Sequence, residues 1–332
     1  MRRSRVVTAI LWAGVVVLAA AVSGCGAYYP PHMRPLSSKT RALLAEKGMM
    51  ASQPILIRVF KSESELEVWK KKDDGHFYHL KTYPICNFSG GLGPKEKQGD
   101  LQAPEGFYVV NKKRMNPKSR YHLSFNIGYP NAFDRSLKRT GANLMVHGEC
   151  KSRGCYAMTD AVIEEIYALA LEAFEGGQEK FQVHAFPFRM TTANLAAHTD
   201  SPWFDFWVNL KDGYDYFQVT RLEPTLAVCG GRYVVNGAFP AGKYPNPKRA
   251  CPRYSKLPTV AFKPKRQGRA VAQSSLAKPL GSVMDLHFGE ITPVYNVMTL
   301  GPATPDLKVR GQKQAANGKK SGQKEKVAHR AP

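Results

Sequence analysis

Residues 143–160 read Asn143-Leu144-Met145-Val146-His147-Gly148-Glu149-Cys150-Lys151-Ser152-Arg153-Gly154-Cys155-Tyr156-Ala157-Met158-Thr159-Asp160. An apolar run of strand type ends on a histidine, a polar loop follows, and a cysteine stands eight residues after the histidine, ahead of a helix start. A thiol is a strong nucleophile only as thiolate, so it needs a base or a positive potential nearby. His147 supplies a base whose backbone a strand would fix, and a helix opening near Asp160 is expected to favour negative charge on the Cys155 sulfur. Gly154 would let the backbone approach an acyl group, with the amides around Gly154 and Cys155 as candidate oxyanion donors. Residue chemistry alone leaves other readings open, namely a structural disulfide through Cys155 or a His-Gly turn without chemistry. A third is zinc, because His147-x-Glu149 followed by two cysteines faintly resembles a zinc deaminase pattern. That pattern continues Pro-Cys-x-x-Cys, whereas Cys150 and Cys155 have four residues between them and no such proline, so no metal is expected.

Outward from this segment the pattern is β-rich. Ile55 to Phe60, Phe77 to Ile85, Gly106 to Val110, Tyr121 to Ile127 and Asn143 to Val146 read as short strands separated by turn residues, with no βαβ alternation. Ser62-Glu63-Ser64-Glu65 reads as the opening of a helical turn reaching Trp69, and Ser38 to Lys47 as a short helix. After the cysteine, Thr159 and Asp160 can cap a helix whose stripe Ile163, Ile166, Ala170 and Phe174 reads as core, with Gly176-Gly177 as its stop. Phe181 to Phe188 is a further strand. Ser201-Pro202 opens a helix through Lys211 that Gly213 should end, and its aromatics Trp203, Phe204, Phe206 and Trp207 are expected to pack on the β unit rather than line a glycan groove.

The chain ends are of another kind. Arg2, Arg3 and Arg5 precede an apolar run of 17 residues from Val6 to Val22, an export signal marginal for spanning a bilayer. Val22-Ser23-Gly24-Cys25 is similar to a bacterial lipobox, with Cys25 as the lipidated residue. The formal charge of +22 suits nucleic acid, an anionic envelope polymer or a lipid surface. Much of it lies in the last residues, where Lys308, Arg310, Lys313, Lys319, Lys320, Lys324, Lys326 and Arg330 face Glu325 alone without interleaved aromatics, so a solvated tail is expected and nucleic acid is not. Export makes disulfides expected. Cys229 and Cys251 flank a Gly/Pro-rich loop and look like a pair; Cys86, Cys150 and Cys155 remain, and an odd count leaves one thiol free, for which Cys155 is the candidate.

Ser152-Arg153-Gly154-Cys155 with the upstream His147-Gly148 resembles the signature of the L,D-transpeptidases (the YkuD-type catalytic domain), and the short gap and Tyr156-Ala157-Met158-Thr159-Asp160 look like the YafK branch. Tyr83-Pro84-Ile85-Cys86, Gln102-Ala103-Pro104-Glu105-Gly106, Leu123 to Pro130, Phe186 to Met190 and Tyr214 to Phe217 extend the resemblance over roughly 54–235. It implies a mainly β, sandwich-like catalytic domain with a helix after the cysteine and a mixed C-terminal extension. The expected organisation is 1–25 export signal, 26–53 linker and short helix, 54–189 catalytic domain, 190–301 extension packed on it, and 302–332 basic tail. It implies that Cys155 attacks a peptidoglycan tetrapeptide stem and forms a thioester, with His147 moving the proton and Ser152 and Gly154 orienting the imidazole or the oxyanion site, without cofactor. An amine acceptor gives a cross-link or attaches a lipoprotein; water makes an amidase that releases wall-attached protein or trims L,D linkages; an inert, oxidised Cys155 would leave a wall-binding lipoprotein. The expected partners are stem peptides, a wall-linked lipoprotein and, through Cys25, a membrane, in the periplasm. Most of the family carries Arg two residues after the cysteine; here it is Ala157, so Arg153 or Arg189 is expected to bind the substrate carboxylate.

Overall fold

The structure, a computed structural model, describes residues 29–263. Helix α1 (Ser38–Glu46) precedes strands β1 (Ile55–Phe60), β2 (Glu65–Lys71), β3 (Phe77–Pro84), β4 (Asn87–Phe88), β5 (Gly106–Asn111), β6 (Met115–Asn116) and β7 (Ser124–Asn126). Then come α2 (Ala132–Ser136), β8 (Met145–His147), β9 (Tyr156–Ala157), α3 (Asp160–Glu175), β10 (Lys180–Phe186), α4 (Thr192–Ala196), α5 (Phe204–Thr220), β11 (Leu226–Cys229) and β12 (Arg232–Val235). Two five-stranded sheets, ordered β3-β2-β1-β10-β5 and β4-β9-β8-β7-β6, contribute to one apolar core together with α3. The chain is mainly β, as its sequence indicates.

Both sheets are mixed. β1 runs parallel to β10 and β8 parallel to β9, the other neighbours being antiparallel. β1 is buried along its whole length because both of its faces are covered. Ile55, Ile57 and Val59 enter the core with α3, while the opposite side carries Leu56, Arg58 and Phe60 toward aromatics of α5. Arg58 lies with its guanidinium 4.5–5.5 Å from the rings of Phe60, Phe186, Tyr214 and Phe217. Burial lowers its pKa to about 10, so it stays cationic at neutral pH.

Three expectations are corrected. Residues 62–69 do not form a helical turn. The alternation Glu65-Leu66-Glu67-Val68 prevails over the Ser62/Glu65 capping pattern and makes β2, with Leu66 and Val68 buried. The strand read over 121–127 is regular only at Ser124–Asn126. Nor does Gly213 end α5, which runs on to Thr220. Gly213 instead admits the Phe107 ring, since a Cβ there would lie 2.5 Å from Phe107 Cζ.

Gly213→Ala therefore sets helix propensity against packing. Alanine gains up to about 1 kcal/mol in a helix interior. Overpacking costs about 1–3 kcal/mol, and Phe107 cannot retreat because Tyr233, Phe186 and His184 surround it. Urea unfolding is expected to show a net loss of about 1–2 kcal/mol; a stabilised variant would show that the ring moves freely.

Candidate active site

Parallel neighbours usually need a crossover of a dozen or more residues. β8 and β9 are joined by only eight, 148–155. The link can turn back only through left-handed backbone, at Glu149 (φ 65°), Cys150 (φ 49°) and Gly154 (φ 112°). Its bonds hold that shape. Gly148 N–H lies 3.1 Å from Tyr121 O, and Glu149 N–H donates to Asp160 Oδ1 at 2.8 Å. A Cβ on Gly148 would sit 2.5 Å from that same Asp160 oxygen, which is why glycine follows the histidine. Ser152 Oγ donates to Cys155 O at 2.7 Å and accepts from Gly154 N–H at 3.2 Å. None of these bonds reaches the imidazole, so Ser152 organises the loop rather than the histidine.

The register pairs His147 with Ala157 and Val146 with Tyr156. Side chains alternate along a strand, so His147 and Cys155 project to one face while Val146 and Tyr156 fill the core. One strand spacing and two residues of rise put their Cα atoms about 8 Å apart. The resting thiol is not hydrogen-bonded to His147. It lies 3.4 Å from Met145 N and 3.8 Å from Asn143 O. His147 is buried under the Tyr121 ring, 4.8 Å between centroids, and its Nδ1 bonds Gly148 O at 2.6 Å. A carbonyl can only accept, so Nδ1 carries the hydrogen and Nε2 is left as the base.

Burial pushes the His147 pKa below the ordinary histidine value, against smaller opposing effects of the Gly148 carbonyl and Glu149. Burial likewise raises the Cys155 thiol, against the Met145 amide and the Lys95 charge. Both groups are neutral at rest. This corrects the expectation of a helix-stabilised thiolate: α3 begins five residues beyond the cysteine, with β9 intervening.

The family model of the YkuD L,D-transpeptidase catalytic domain matches residues 54–183. Over 200 residues the chain is 46% identical to YafK of Escherichia coli strain K12, a protein bearing an L,D-transpeptidase name, and the match covers 60% of this chain and 81% of YafK. YafK of E. coli O157:H7 matches to the same extent. The chain belongs to the L,D-transpeptidase family. Among solved structures, the helical cell shape determining protein Pgp2 from Campylobacter jejuni is 23% identical, with a TM-score of 0.34 over 57% of this chain and 69% of that one. Family membership ties the chain to peptidoglycan.

Cys155 opens onto a cleft of about 250 Å³ lined by Arg153, Asn143, Leu144, Lys95, Gln98 and Leu101 among others; buried His147 does not reach its wall. Arg153 is thus beside the thiol. Arg189 is not: it is ion-paired to Glu65 and Glu67 and lies over Phe60, so the carboxylate-binding role expected of it is withdrawn. Lys95 is the cleft residue that sequence reading missed. Its ammonium bonds Lys97 O and pairs with Asp100. Burial opposes ionisation of Asp100, but Lys95 and the amides of Lys97, Glu96 and Gln102 outweigh it and hold the carboxyl at about 2. The only sequence cue was a Gly-Pro turn just before the lysine.

The disulfides are Cys86–Cys150 and Cys229–Cys251, and Cys155 is the free thiol among the described residues. Cys150 is therefore not available as a thiolate ligand, which removes the zinc arrangement. Cys25 and the segments expected to be an export signal and a basic tail lie outside the described residues.

Neutral partners give the chain a definite pH response. Because the Cys155 pKa is raised, the thiolate fraction should grow about tenfold per pH unit from pH 7 to 8.5. Iodoacetamide labelling of Cys155 followed by mass spectrometry should track that slope. A plateau already below pH 8 would mean a lowered thiol pKa and would overturn this electrostatic account.

Proposed function

We propose that the chain is a peptidoglycan acyltransferase in which Cys155 forms a thioester with a tetrapeptide stem. A free thiol sharing one face with a histidine of fixed tautomer is the observation that carries this reading. The thiol rotates from Asn143 toward His147; Nε2 takes its proton as sulfur attacks the carbonyl preceding the terminal D-residue. The Cys155 amide supports the developing oxyanion, Gly154 N–H being already held by Ser152. The C–N bond breaks, and the leaving amine takes its proton from His147. An incoming amine gives up a proton to His147, attacks the thioester and forms the new amide; the thiolate recovers that proton. No step calls for a metal or organic cofactor. The lipobox-like Val22-Ser23-Gly24-Cys25 supports a periplasmic setting for this chemistry, with Cys25 as the lipid anchor.

A second reading keeps the thioester but resolves it with water, making an amidase that releases wall-attached protein. Ala157 supports holding it open. It is buried on β9 opposite His147, where most of the family has a carboxylate-binding arginine, so the stem must be gripped differently, with Arg153 on the cleft wall at hand.

Intact-protein mass spectrometry with a carbapenem tests for the acyl-enzyme. Wild type should gain one adduct and Cys155→Ala none; no adduct on wild type, or an undiminished one on the variant, would sink both enzyme readings. Incubation with purified wall peptides then separates them. New L,D-linked dimers mean transfer, whereas shortened or released products alone mean hydrolysis.

A further inference from the structure

The cysteine pair beside the site has a position that stability alone does not require. Cys150 is the second left-handed residue of the β8–β9 link, and its partner Cys86 stands just before β4. β4 is a two-residue edge strand on β9, paired Asn87 to Ala157 and Phe88 to Tyr156. Beyond that short ladder and the Phe88–Tyr156 ring contact, the two segments are tied among the described residues by single hydrogen bonds. Cys86 N–H donates to Ala157 O at 2.9 Å, Asn87 Nδ2 to Cys150 O at 3.3 Å, and the hydroxyls of Ser89 and Ser152 are 3.4 Å apart. Left-handed backbone costs about 1–2 kcal/mol per non-glycine residue, so Glu149 and Cys150 would relax if the surroundings did not over-determine them. Relaxation would travel through the five residues between Cys150 and the end of the link, displacing Ser152, Gly154 and the Cys155 amide. A misplacement of about 1 Å at reacting atoms costs about 100-fold in rate.

We propose that the Cys86–Cys150 disulfide is a positioning element for acyl transfer: it holds the β8–β9 link in the shape that aims the Cys155 amide at the oxyanion. The proposal rests on the reading of Cys155 as the acylated nucleophile. The second disulfide, Cys229–Cys251, closes its own loop after β11 and, among the described residues, makes no bond to the link, which makes it an internal control.

Two reactions of the same thiol separate positioning from bulk stability. Acylation by a carbapenem develops an oxyanion and needs the aligned amide. Alkylation by iodoacetamide displaces iodide from carbon, develops no oxyanion and needs only the thiol. The full chain carrying Cys86→Ala and Cys150→Ala is expected to lose about 10- to 100-fold in acylation rate relative to its own alkylation rate. The chain carrying Cys229→Ala and Cys251→Ala should keep the wild-type ratio even if it melts earlier. An unchanged ratio in the first variant, or the same fall in both variants, would overturn the proposal. Should the first variant not fold, the chain carrying Cys229→Ala and Cys251→Ala, in which Cys86–Cys150 is the remaining disulfide among the described residues, serves instead after treatment with a dithiol reductant. The reductant becomes a cyclic disulfide, Cys86 and Cys150 become thiols, and the ratio should fall and return on reoxidation by oxidised glutathione; a ratio that stays put on verified reduction overturns the proposal equally. If wild type alkylates normally but never acylates, the nucleophile reading has failed rather than this one.

Discussion

Glutamine in place of His147 is expected to slow acylation of Cys155 by about 10²- to 10⁴-fold, the usual contribution of a positioned general base. The size follows from the resting state. Burial keeps the thiol protonated at neutral pH, and the nearest bonded groups, Met145 N and Asn143 O, offer no proton acceptor of useful basicity. Glutamine can still donate to Gly148 O, so the loop shape should survive, which circular dichroism and thermal melting would check. The carbapenem adduct should accumulate far more slowly than on wild type. A variant that acylates at the wild-type rate would show that the proton goes elsewhere.

The second large effect concerns stability. Lys61 and Glu105 form an ion pair of 3.0 Å with neither side chain exposed. Glu105 also accepts from Gly93 N–H at 2.7 Å and from Trp207 Nε1 at 2.8 Å, while Lys61 donates to the carbonyls of Gly91 and Gly93. The pair thereby ties the loop that leads to Lys95 to both β5 and α5. Glu105→Ala strands a buried ammonium and two N–H donors, and losing one partner of such a pair costs about 3–5 kcal/mol. At about 2–4 °C per kcal/mol for a domain of this size, melting should fall by roughly 6–20 °C. Combining Lys61→Met with Glu105→Leu should restore much of the loss, since a buried pair is often replaceable by apolar groups of similar volume. A Glu105→Ala loss below about 1 kcal/mol would mean that water reaches the pair.

What could be read from the sequence followed the reach of the interactions involved. The α3 stripe was legible because Ile163, Ile166, Ala170 and Phe174 recur at helical spacing, and all four are buried. His147, Gly148, Gly154 and Cys155 stood out because thiol chemistry and tight backbone each restrict residue type. Long-range pairing left no such trace. β1 finds β10 more than a hundred residues away, and nothing in Ile55–Phe60 announces a parallel neighbour. Lys95 and Arg189 show the same limit for charge. Each is one basic residue among many in sequence, and only the fold decides that Lys95 borders the thiol cleft, paired with Asp100, while Arg189 lies elsewhere, paired with Glu65 and Glu67.

The helix roof over β1, β10 and β5 bears on descent. The family match ends at residue 183, inside β10, yet the outer face of that sheet is completed from beyond it. Phe60, Phe107 and Phe186 are covered by Trp207, Leu210 and Tyr214, and Asn209 bonds both backbone groups of Tyr233 to bring β12 alongside. A lineage could not shed α5 without baring that aromatic face and taking the Trp207 donor from buried Glu105. The segment is therefore heritable only together with the strands it covers, and drift at Trp207 or Tyr214 should be matched by compensating change at Phe107 or Phe186.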